Sequence, residues 1–286
     1  MRSKVLVTGA NGQLGKTLRE ISGRFAEAIE FTFLEKSQLD ITNQEEIQRY
    51  FKDNIIDFCV NCAAYTNVDL AETETDKAMM VNAHAVAYLS KACKAHNTVL
   101  IHMSTDYVFD GNSTTPYKEN DPTHPINSYG KSKRLGEEHI QSNLSNYFII
   151  RTSWLYSKFN KNFIKTVYSK LKSGHQLRII TTQKGTPTSC VDLSNFIMFL
   201  ITNRVKAYGI YHFSAIGETT WFDVGLYIAQ YFKRSSAVIP TPIFESKASR
   251  PIYSVLSNDK VISLTKQEPN RWQDSVDDVL KSLTYD

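Results

Sequence analysis

Short apolar runs alternate with amphipathic segments through the first half of this chain, and this alternation limits the possible folds more than any other feature. The apolar runs lie at 4–8, 31–34, 55–61, 98–103 and 147–151. The segments with helical spacing of apolar residues lie at 12–23, 44–53, 76–96 and 128–142. Strands that alternate with helices form a parallel sheet, because each crossover helix must pack back on the sheet. The pattern predicts an α/β fold, a Rossmann-like doubly wound parallel sheet.

The second half of the chain predicts a smaller domain. With 286 residues, the chain exceeds the roughly 100–200 residues of a usual single core. Beyond residue 151 the alternation loosens, and a long loop is predicted at 240–257. We expect a nucleotide-binding domain at 1–151 and a mainly substrate-binding domain at 152–286. Segments after residue 151 can still add strands to the sheet of the first domain. Helical stretches are predicted at 162–173, 190–203, 219–233 and 273–283.

Charge and hydropathy exclude two classes of partner. The net charge of +4 is spread along the chain and forms no basic run, so we expect no nucleic-acid partner. No apolar stretch approaches the ~18 residues of a membrane span, so we expect no membrane partner. The N-terminus enters a short strand where a signal peptide would have its apolar core. We therefore expect a cytoplasmic protein.

The four cysteines are expected to be ordinary core thiols. Cys59 and Cys62 have the spacing of a redox or zinc pair, but they lie in a run that reads as a strand. Side chains three positions apart on a strand point to opposite faces and cannot share a metal ion. Cys93 and Cys190 carry no motif, and free cysteines behave as small buried hydrophobes. We predict no metal site.

A glycine-rich turn follows the first strand directly. Gly9, Gly12 and Gly15 have the spacing of a dinucleotide-binding turn and lead into the first helix. Such a turn directs backbone N–H groups and a helix N-terminus at a pyrophosphate. The alternative is a purely structural strand-to-helix turn. The position between a strand and a helix favours a nicotinamide cofactor.

The choice between NADH and NADPH rests on charges after the second strand. Glu35 lies 20 residues after Gly15, where an acid normally binds the ribose hydroxyls. The neighbouring Lys36 would attract a 2′-phosphate that the carboxylate repels. Asp40 either faces the adenine edge or begins the next helix. Both NADH and NADPH remain possible cofactors, with a slight preference for NADPH. For Glu35 and Lys36 the alternative is a solvated charge at the end of a strand.

A tyrosine and a lysine four residues apart provide the candidate acid–base pair. Tyr129 and Lys133 lie on one face of a predicted helix. Lowering a phenol pKa of ~10 by ~3 units requires ~4 kcal/mol of preference for the phenolate, which a nearby ammonium supplies in a dry site. The same spacing recurs at Tyr168 and Lys172, but those lysines look like a solvated helix face. Thr105 ends a strand at the edge where ligands bind and completes the predicted triad.

Several motifs resemble the dTDP-4-dehydrorhamnose reductase family. In the first half these are NCAAYTNVDLAE at 61–72, VNA at 81–83, STDYVFDG at 104–111, PYKEND at 116–121 and YGKSK at 129–133. In the second half they are RTSWLY at 151–156, GTPT at 185–188, GIYHFS at 209–214 and RPIYSVL at 250–256. The resemblance covers nearly the whole chain, and the motifs together are more specific than any one of them.

The resemblance implies NAD(P)H-dependent reduction of the C4 ketone of dTDP-4-dehydro-L-rhamnose to dTDP-L-rhamnose, for cell-surface polysaccharide. In the family's scheme hydride goes to C4, Tyr129 protonates the C4 oxygen, Lys133 holds the cofactor ribose, and Thr105 polarises the ketone. The implied substrate residues are Val68, Thr105, Asp106, Trp154 and Arg250. The implied cofactor residues are Gly9, Asn11, Gly12, Gln13, Leu14, Gly15, Glu35, Lys36, Asp40, Ile41, Ala63, Ala64, Tyr65, Thr66, Tyr129 and Lys133.

Two of the implied substrate residues have structural alternatives. Trp154 offers a flat indole to a sugar face, or it is a packing residue. Arg250 offers a fork of donors to the diphosphate, or it is a solvated loop arginine. Lys36 and Cys62 depart from the family pattern, which has arginine and alanine there. Some family members place a metal ion between subunits, and we expect a homodimer here without one.

Two rival functions remain open at this stage. Another nucleotide-sugar reductase or epimerase of the extended short-chain type would share the glycine turn and the Tyr-Lys pair. The segments around Trp154 and Arg250 match the reductase pattern better. A non-catalytic regulatory subunit that binds NADP is the second rival, since one such protein resembles this family. The presence of Thr105, Tyr129 and Lys133 favours catalysis.

Overall fold

The computed structural model describes residues 2–243 and 245–284. Residues 1, 285 and 286, at the ends of the predicted domains, lie outside the described residues. Residue 244, in the predicted loop at 240–257, also lies outside them. No helix in the two described ranges is both long enough and apolar enough to cross a membrane.

Strands and helices follow the sequence pattern closely. The strands are β1 (Ser3–Thr8), β2 (Ile29–Leu34), β3 (Phe58–Asn61), β4 (Val99–Thr105), β5 (Tyr147–Thr152), β6 (Leu155–Tyr156), β7 (Leu177–Ile180), β8 (Lys184–Gly185), β9 (Thr188–Ser189), β10 (Gly209–His212), β11 (Thr219–Thr220) and β12 (Val238–Thr241). The α-helices are α1 (Gln13–Ser22), α2 (Gln44–Asp53), α3 (Val68–Ala71), α4 (Thr75–Met79), α5 (Ala85–Ala95), α6 (Ser128–Asn143), α7 (Phe163–Lys172), α8 (Cys190–Thr202), α9 (Trp221–Tyr231), α10 (Asp259–Thr265) and α11 (Trp272–Thr284).

Six parallel strands form the main sheet, in the order β10-β5-β4-β3-β1-β2. The predicted fold class is confirmed. β10 comes from the second half of the chain and pairs with β5, with Ile210 beside Ile149. The sheet is thus completed from beyond residue 151, and the predicted domain boundary stays a prediction.

Two hydrophobic clusters cover the two faces of this sheet. Residues of α1 and α8 pack on one face, and residues of α2, α5 and α6 pack on the other. Strand residues alternate between the clusters, as Val5 and Leu6 do, because successive side chains point to opposite faces. Cys59 lies in the second cluster and Cys62 packs against the first, so their spacing does not bring the two thiols together.

The predicted helix at 76–96 is built from three consecutive segments. α4 ends at Met79, a π-helical turn spans Met80–His84, and α5 follows. A π-turn widens the helix by one residue and frequently occurs near functional sites. Here it places Asn82 against the middle of α6, where the backbone oxygen of Asn82 would lie 2.2 Å from a Cβ at Gly136.

A third cluster forms the core of the C-terminal region. Residues from α7, α9 and α11 pack with β7 and β12. β12 takes in Pro240 and Thr241, which were predicted to be loop, and it pairs with β7. A smaller cluster joins this region to the segment after β4, and its members are Val108, Phe109, Tyr117, Tyr253, Val255 and Leu256.

Candidate active site

The glycine turn lies where the order of the sheet reverses. From β1 the chain passes to β2 on one side and later to β3 on the other, which opens a crevice at the carboxyl ends of β1 and β3. Gly9 has φ +65°, and a Cβ there would lie 2.5 Å from the backbone nitrogen of Ala63. The turn and the segment after β3 therefore meet without room for a side chain, and only glycine fits at residue 9.

A cleft of about 820 Å³ opens beside this turn. Its walls come from the glycine turn, the segment after β2 and the segment after β3, and Val81 closes one end. Ten of the predicted cofactor residues line it: Gly9, Asn11, Gly12, Glu35, Lys36, Asp40, Ile41, Ala63, Ala64 and Tyr65. The other lining residues are Ser37, Leu39, Thr42, Cys62 and Val81.

Six predicted cofactor residues lie outside the lining of this cleft, and two of them, Tyr129 and Lys133, lie on α6. The amide oxygen of Gln13 accepts hydrogen bonds from Ser157 and Asn162 of the C-terminal half. Leu14 is buried in the core, Gly15 packs against the backbone of the turn, and Thr66 is exposed. The three residues at 13–15 therefore hold the first turn of α1 in place.

The charged residues after β2 are paired with one another. The amide of Asn11 donates to the carboxylate of Glu35, and Lys36 lies 3.6 Å from Asp40. Burial opposes ionisation of Asp40, but hydrogen bonds from Thr42 and the charge of Lys36 lower its pKa overall. Asp40 accepts from the backbone N–H of Thr42 in the turn before α2, whereas Asn43 caps that helix. Asp40 therefore does not begin the helix, and it lies in the lining of the cleft.

The N-terminus of α6 brings Tyr129 to Thr105. Asn127 caps the helix by accepting from the backbone N–H of Gly130 at 2.7 Å. A Cβ at Gly130 would lie 2.1 Å from the carbonyl oxygen of Tyr107, so the turn after β4 packs directly on the helix. Burial raises the pKa of Tyr129 to about 12, although a hydrogen bond with Thr105 acts in the opposite direction. The phenol is therefore protonated near neutral pH.

Lys133 lies one helical turn further along α6 and is buried. Its Nζ donates to the carbonyl oxygen of Met103 at 2.6 Å and lies 3.3 Å from His102 Nε2. Burial lowers the pKa of Lys133 to about 8, partly offset by the charge of Glu137. The predicted triad is therefore brought together at the carboxyl end of β4.

A buried ion pair ties α6 to the sheet below this triad. Arg151, near the end of β5, donates to both carboxylate oxygens of Glu137 at 2.9 and 2.7 Å. The hydroxyl of Ser104 donates to the same carboxylate at 2.5 Å. Because Ser104 precedes Thr105, these bonds hold the end of β4 against the helix that carries Tyr129.

Asp106 presents a buried carboxylate beside the triad. It is 2% exposed, and its Oδ2 atom has no hydrogen-bond partner. Burial raises the pKa of Asp106 to about 7, partly offset by hydrogen bonds from Ser254 and Thr105. A buried acceptor without a partner, next to Thr105, suits a hydroxyl group of a ligand.

Trp154 lies two residues after β5 at the same edge of the sheet. It has φ +47° and stacks on Trp221 with ring centroids 3.7 Å apart. A Cβ at Gly185 would lie 2.6 Å from the indole. Trp154 therefore packs against Trp221 and Gly185, as the packing alternative predicted. Its backbone is also strained, and strained residues cluster at ligand sites.

Arg250 is held in place by Asp69, next to Val68. The two guanidinium nitrogens donate to the two carboxylate oxygens at 3.2 and 3.0 Å. Arg250 also interacts with Tyr107, whose ring packs edge-on against Tyr129. The arginine is therefore fixed at the rim of the site and is not a solvated loop residue.

The second Tyr-x-x-x-Lys pair belongs to the core. Tyr168 is buried in the C-terminal cluster, and its hydroxyl donates to the carbonyl oxygen of Leu283. It lies away from Thr105 and the sheet edge, as expected. Within residues 2–243 and 245–284, no group of three or more His, Cys, Asp or Glu side chains is placed to hold a metal ion.

Sequence reasoning did not single out several residues that hold this site together. Asn61, His102, Asp69 and Trp221 contact predicted site residues directly, namely Ala63, Lys133, Arg250 and Trp154. Glu137 binds Arg151 and Ser104, the residue before Thr105. A signal existed for Glu137, because it lies four residues after Lys133 on the same helix face. The others lie far apart in sequence, and no spacing rule connects them.

The comparisons with known proteins agree with this architecture. Residues 3–285 match the family model described as RmlD substrate binding domain. The spore coat polysaccharide biosynthesis protein SpsK of Bacillus subtilis is 36% identical, with 98% of this chain and 97% of that protein covered. A dTDP-4-dehydrorhamnose reductase of Aggregatibacter actinomycetemcomitans is 35% identical, with 95% and 96% covered.

A solved structure superposes closely on this chain. It is a dTDP-4-dehydrorhamnose reductase of Bacillus anthracis in complex with NADP, with a TM-score of 0.94 and 34% identity over 99% of this chain and 100% of that one. The resemblance noted in the sequence motifs is therefore confirmed. The chain belongs to the RmlD family of extended short-chain oxidoreductases, which includes the dTDP-4-dehydrorhamnose reductases.

Proposed function

We propose that this protein reduces the C4 ketone of dTDP-4-dehydro-L-rhamnose to dTDP-L-rhamnose with NADPH or NADH. The observation that carries the proposal is the convergence of Thr105, Tyr129 and Lys133 at the sheet edge, next to the glycine-lined cleft. Two relatives named dTDP-4-dehydrorhamnose reductase align over 95% and 99% of this chain, at 35% and 34% identity. The proposal includes a cytoplasmic location and a homodimer, as expected from the sequence.

The residues of the cleft fit a dinucleotide. Gly9 lets the turn pack against the segment after β3, and Gly12 lines the cleft directly before the N-terminus of α1, where a pyrophosphate would bind. The cleft volume of about 820 Å³ suits an extended ligand. Glu35 and Lys36 stand where the adenosine ribose would lie. When bound, the reduced nicotinamide supplies the hydride.

Tyr129 holds the proton that the reduction requires. Its raised pKa keeps the phenol protonated, so the hydroxyl can donate to the C4 oxygen as charge develops there. Thr105 supplies a second hydroxyl at the same place and orients the phenol. Lys133, when charged, stabilises the phenolate that remains after proton transfer.

The proposed substrate residues lie around this pair. Asp106 offers its unsatisfied carboxylate oxygen to a sugar hydroxyl. Trp154 stacks on Trp221 and is half-buried, and it offers the part of its indole left exposed to the sugar ring. Asp69 holds the guanidinium of Arg250 in a fixed orientation, which limits the entropy lost on binding a diphosphate. Val68 precedes Asp69 in the chain, and we place it in the same part of the proposed substrate site.

The test is an assay with the purified protein and the enzymatically prepared sugar. Absorbance of the reduced nicotinamide is followed after adding dTDP-4-dehydro-L-rhamnose with NADPH or NADH. We expect rapid oxidation and formation of dTDP-L-rhamnose. Oxidation with a different dTDP-ketosugar only would reassign the substrate, and cofactor binding without any turnover would favour the regulatory role.

Cofactor preference is expected to depend on Lys36. Its side chain is 80% exposed, so salt screens its attraction for a 2′-phosphate. We expect Lys36→Ala to weaken NADPH binding about three- to tenfold at low ionic strength, with NADH changed less than about twofold. Fluorescence titration of the two cofactors measures this. Lys281→Ala, at an exposed lysine on α11, is the control, and equal losses for both cofactors would contradict the assignment.

A further inference from the structure

A continuous row of buried polar side chains crosses the sheet and ends at Lys133. It begins at Thr8 at the end of β1, continues through Asn61 of β3 and His102 of β4, and reaches Lys133 of α6. Thr8 Oγ1 lies 2.7 Å from Asn61 Oδ1, and Asn61 Nδ2 lies 3.0 Å from His102 Nδ1. His102 Nε2 lies 3.3 Å from Lys133 Nζ. All four residues are at most 2% exposed.

The orientation of the Asn61 amide is fixed by a backbone group. The N–H of Ala63 donates to Asn61 Oδ1 at 3.2 Å. A backbone N–H is only a donor, so the atom facing it must be the amide oxygen. The amide nitrogen of Asn61 therefore faces His102, and a rotated amide would place two donors against each other at Ala63.

This orientation decides the tautomer of His102. The Asn61 N–H group donates to Nδ1, so Nδ1 is an acceptor. Burial holds the pKa of His102 well below its usual value, so the ring is neutral. A neutral imidazole carries one proton, which must then reside on Nε2. That proton points at Lys133.

An Nε2–H group facing Lys133 matches an amine better than an ammonium. An amine has a lone pair that accepts from His102 while it donates to the Met103 carbonyl at 2.6 Å. An ammonium has no acceptor atom and would place one of its N–H groups against the imidazole N–H. We propose that Asn61 and His102 are positioning residues that favour the neutral amine of Lys133 by fixing the imidazole tautomer.

The other titratable groups around Lys133 either favour its ammonium form or are uncharged near neutral pH. Glu137, on α6, favours the ammonium by its charge. Burial raises the pKa of the Cys62 thiol after β3, so that group is uncharged near neutral pH. Tyr129, also on α6, is protonated there. Burial lowers the pKa of Lys133 to about 8, and the bond from His102 favours the neutral amine in addition.

The consequence for the reaction rests on the proposed function. Only the ammonium stabilises a phenolate at Tyr129, so reduction should slow as the pH rises through the pKa of Lys133. The folded pKa lies below the ordinary value of 10.5, so this loss falls near pH 8 and not above pH 10. The row therefore sets the alkaline limit of catalysis.

Two nuclear magnetic resonance measurements test the proposal without any assay. In the ¹⁵N-histidine spectrum, assigned with His102→Phe, we expect the Nε2–H tautomer for His102. In a ¹³Cε-lysine titration, assigned with Lys133→Arg, we expect the Lys133 pKa near 8. An Nδ1–H tautomer for His102, or a Lys133 pKa near 10.5, would overturn the proposal.

Asn61→Asp reverses the tautomer. One carboxylate oxygen keeps the bonds from Thr8 and Ala63, and the other accepts a hydrogen bond from Nδ1–H. Nε2 of the neutral imidazole then becomes an acceptor for the ammonium. We expect the Lys133 pKa to rise by at least one unit, and the alkaline limb of kcat to move up equally. Thr8→Val is the control, because Ala63 still fixes the amide, and no shift is expected. An unchanged Lys133 pKa in Asn61→Asp would refute the mechanism, whereas a shifted pKa without turnover would refute only the proposed function.

Discussion

Replacing Tyr129 by phenylalanine lowers kcat for ketone reduction by an expected ~10²–10⁴-fold, the usual contribution of a positioned general acid. The substitution removes one hydroxyl and keeps the buried ring beside Tyr107. Binding of NADPH should change less than about threefold, because the cleft walls do not include the phenol. Single-turnover oxidation of NADPH and fluorescence titration measure the two quantities separately.

Tyr168→Phe is the matched control for Tyr129→Phe. Tyr168 has the same Tyr-x-x-x-Lys spacing, but its hydroxyl donates to Leu283 in the C-terminal core. We expect full activity and a loss of about 1 kcal/mol in the free energy of unfolding, from one hydrogen bond. Equal kcat losses in the two variants, or a Tyr129→Phe enzyme that retains most of its kcat, would mean that another group donates the proton.

Arg151→Met destabilises the protein by an expected ~3–5 kcal/mol, because it leaves the carboxylate of Glu137 buried without its charge partner. The side chains of Arg151 and Glu137 are 3% and 0% exposed. The remaining hydroxyl of Ser104 cannot compensate for a guanidinium that donates twice. The free energy of unfolding in urea, compared with wild type, measures the loss.

The double variant Arg151→Met/Glu137→Leu separates an unpaired charge from lost packing. Removing both charges together leaves no buried carboxylate, and we expect most of the lost stability to return. A double variant as unstable as Arg151→Met would show that the packing of Arg151 on Phe109, rather than the ion pair, carries the effect. A loss below about 1 kcal/mol in Arg151→Met would show that Glu137 takes up a proton or reaches water.

The central sheet could be predicted because its signal is local. The runs at 4–8 and 147–151 are apolar with short flanking helices, and each became a parallel strand with bounds shifted by one residue at an end. β10 gave a weaker signal, since Gly209–His212 is short and its pairing with β5 spans about sixty residues of chain. The π-helical turn at Met80–His84, which separates α4 from α5, was also not predictable, because a π-turn keeps the apolar spacing nearly unchanged.

By itself the sequence determined the fold class, the glycine turn and the identity of the candidate triad. Each of these depends on residues close together in the chain, where strand and helix periods and a fixed turn spacing act. Only the tertiary structure decided which groups surround Lys133, how Asp69 orients Arg250, and that Trp221 covers Trp154. Asn61, His102 and Lys133 come from three different elements, and the free energy that aligns them arises from packing the sheet, not from any local pattern.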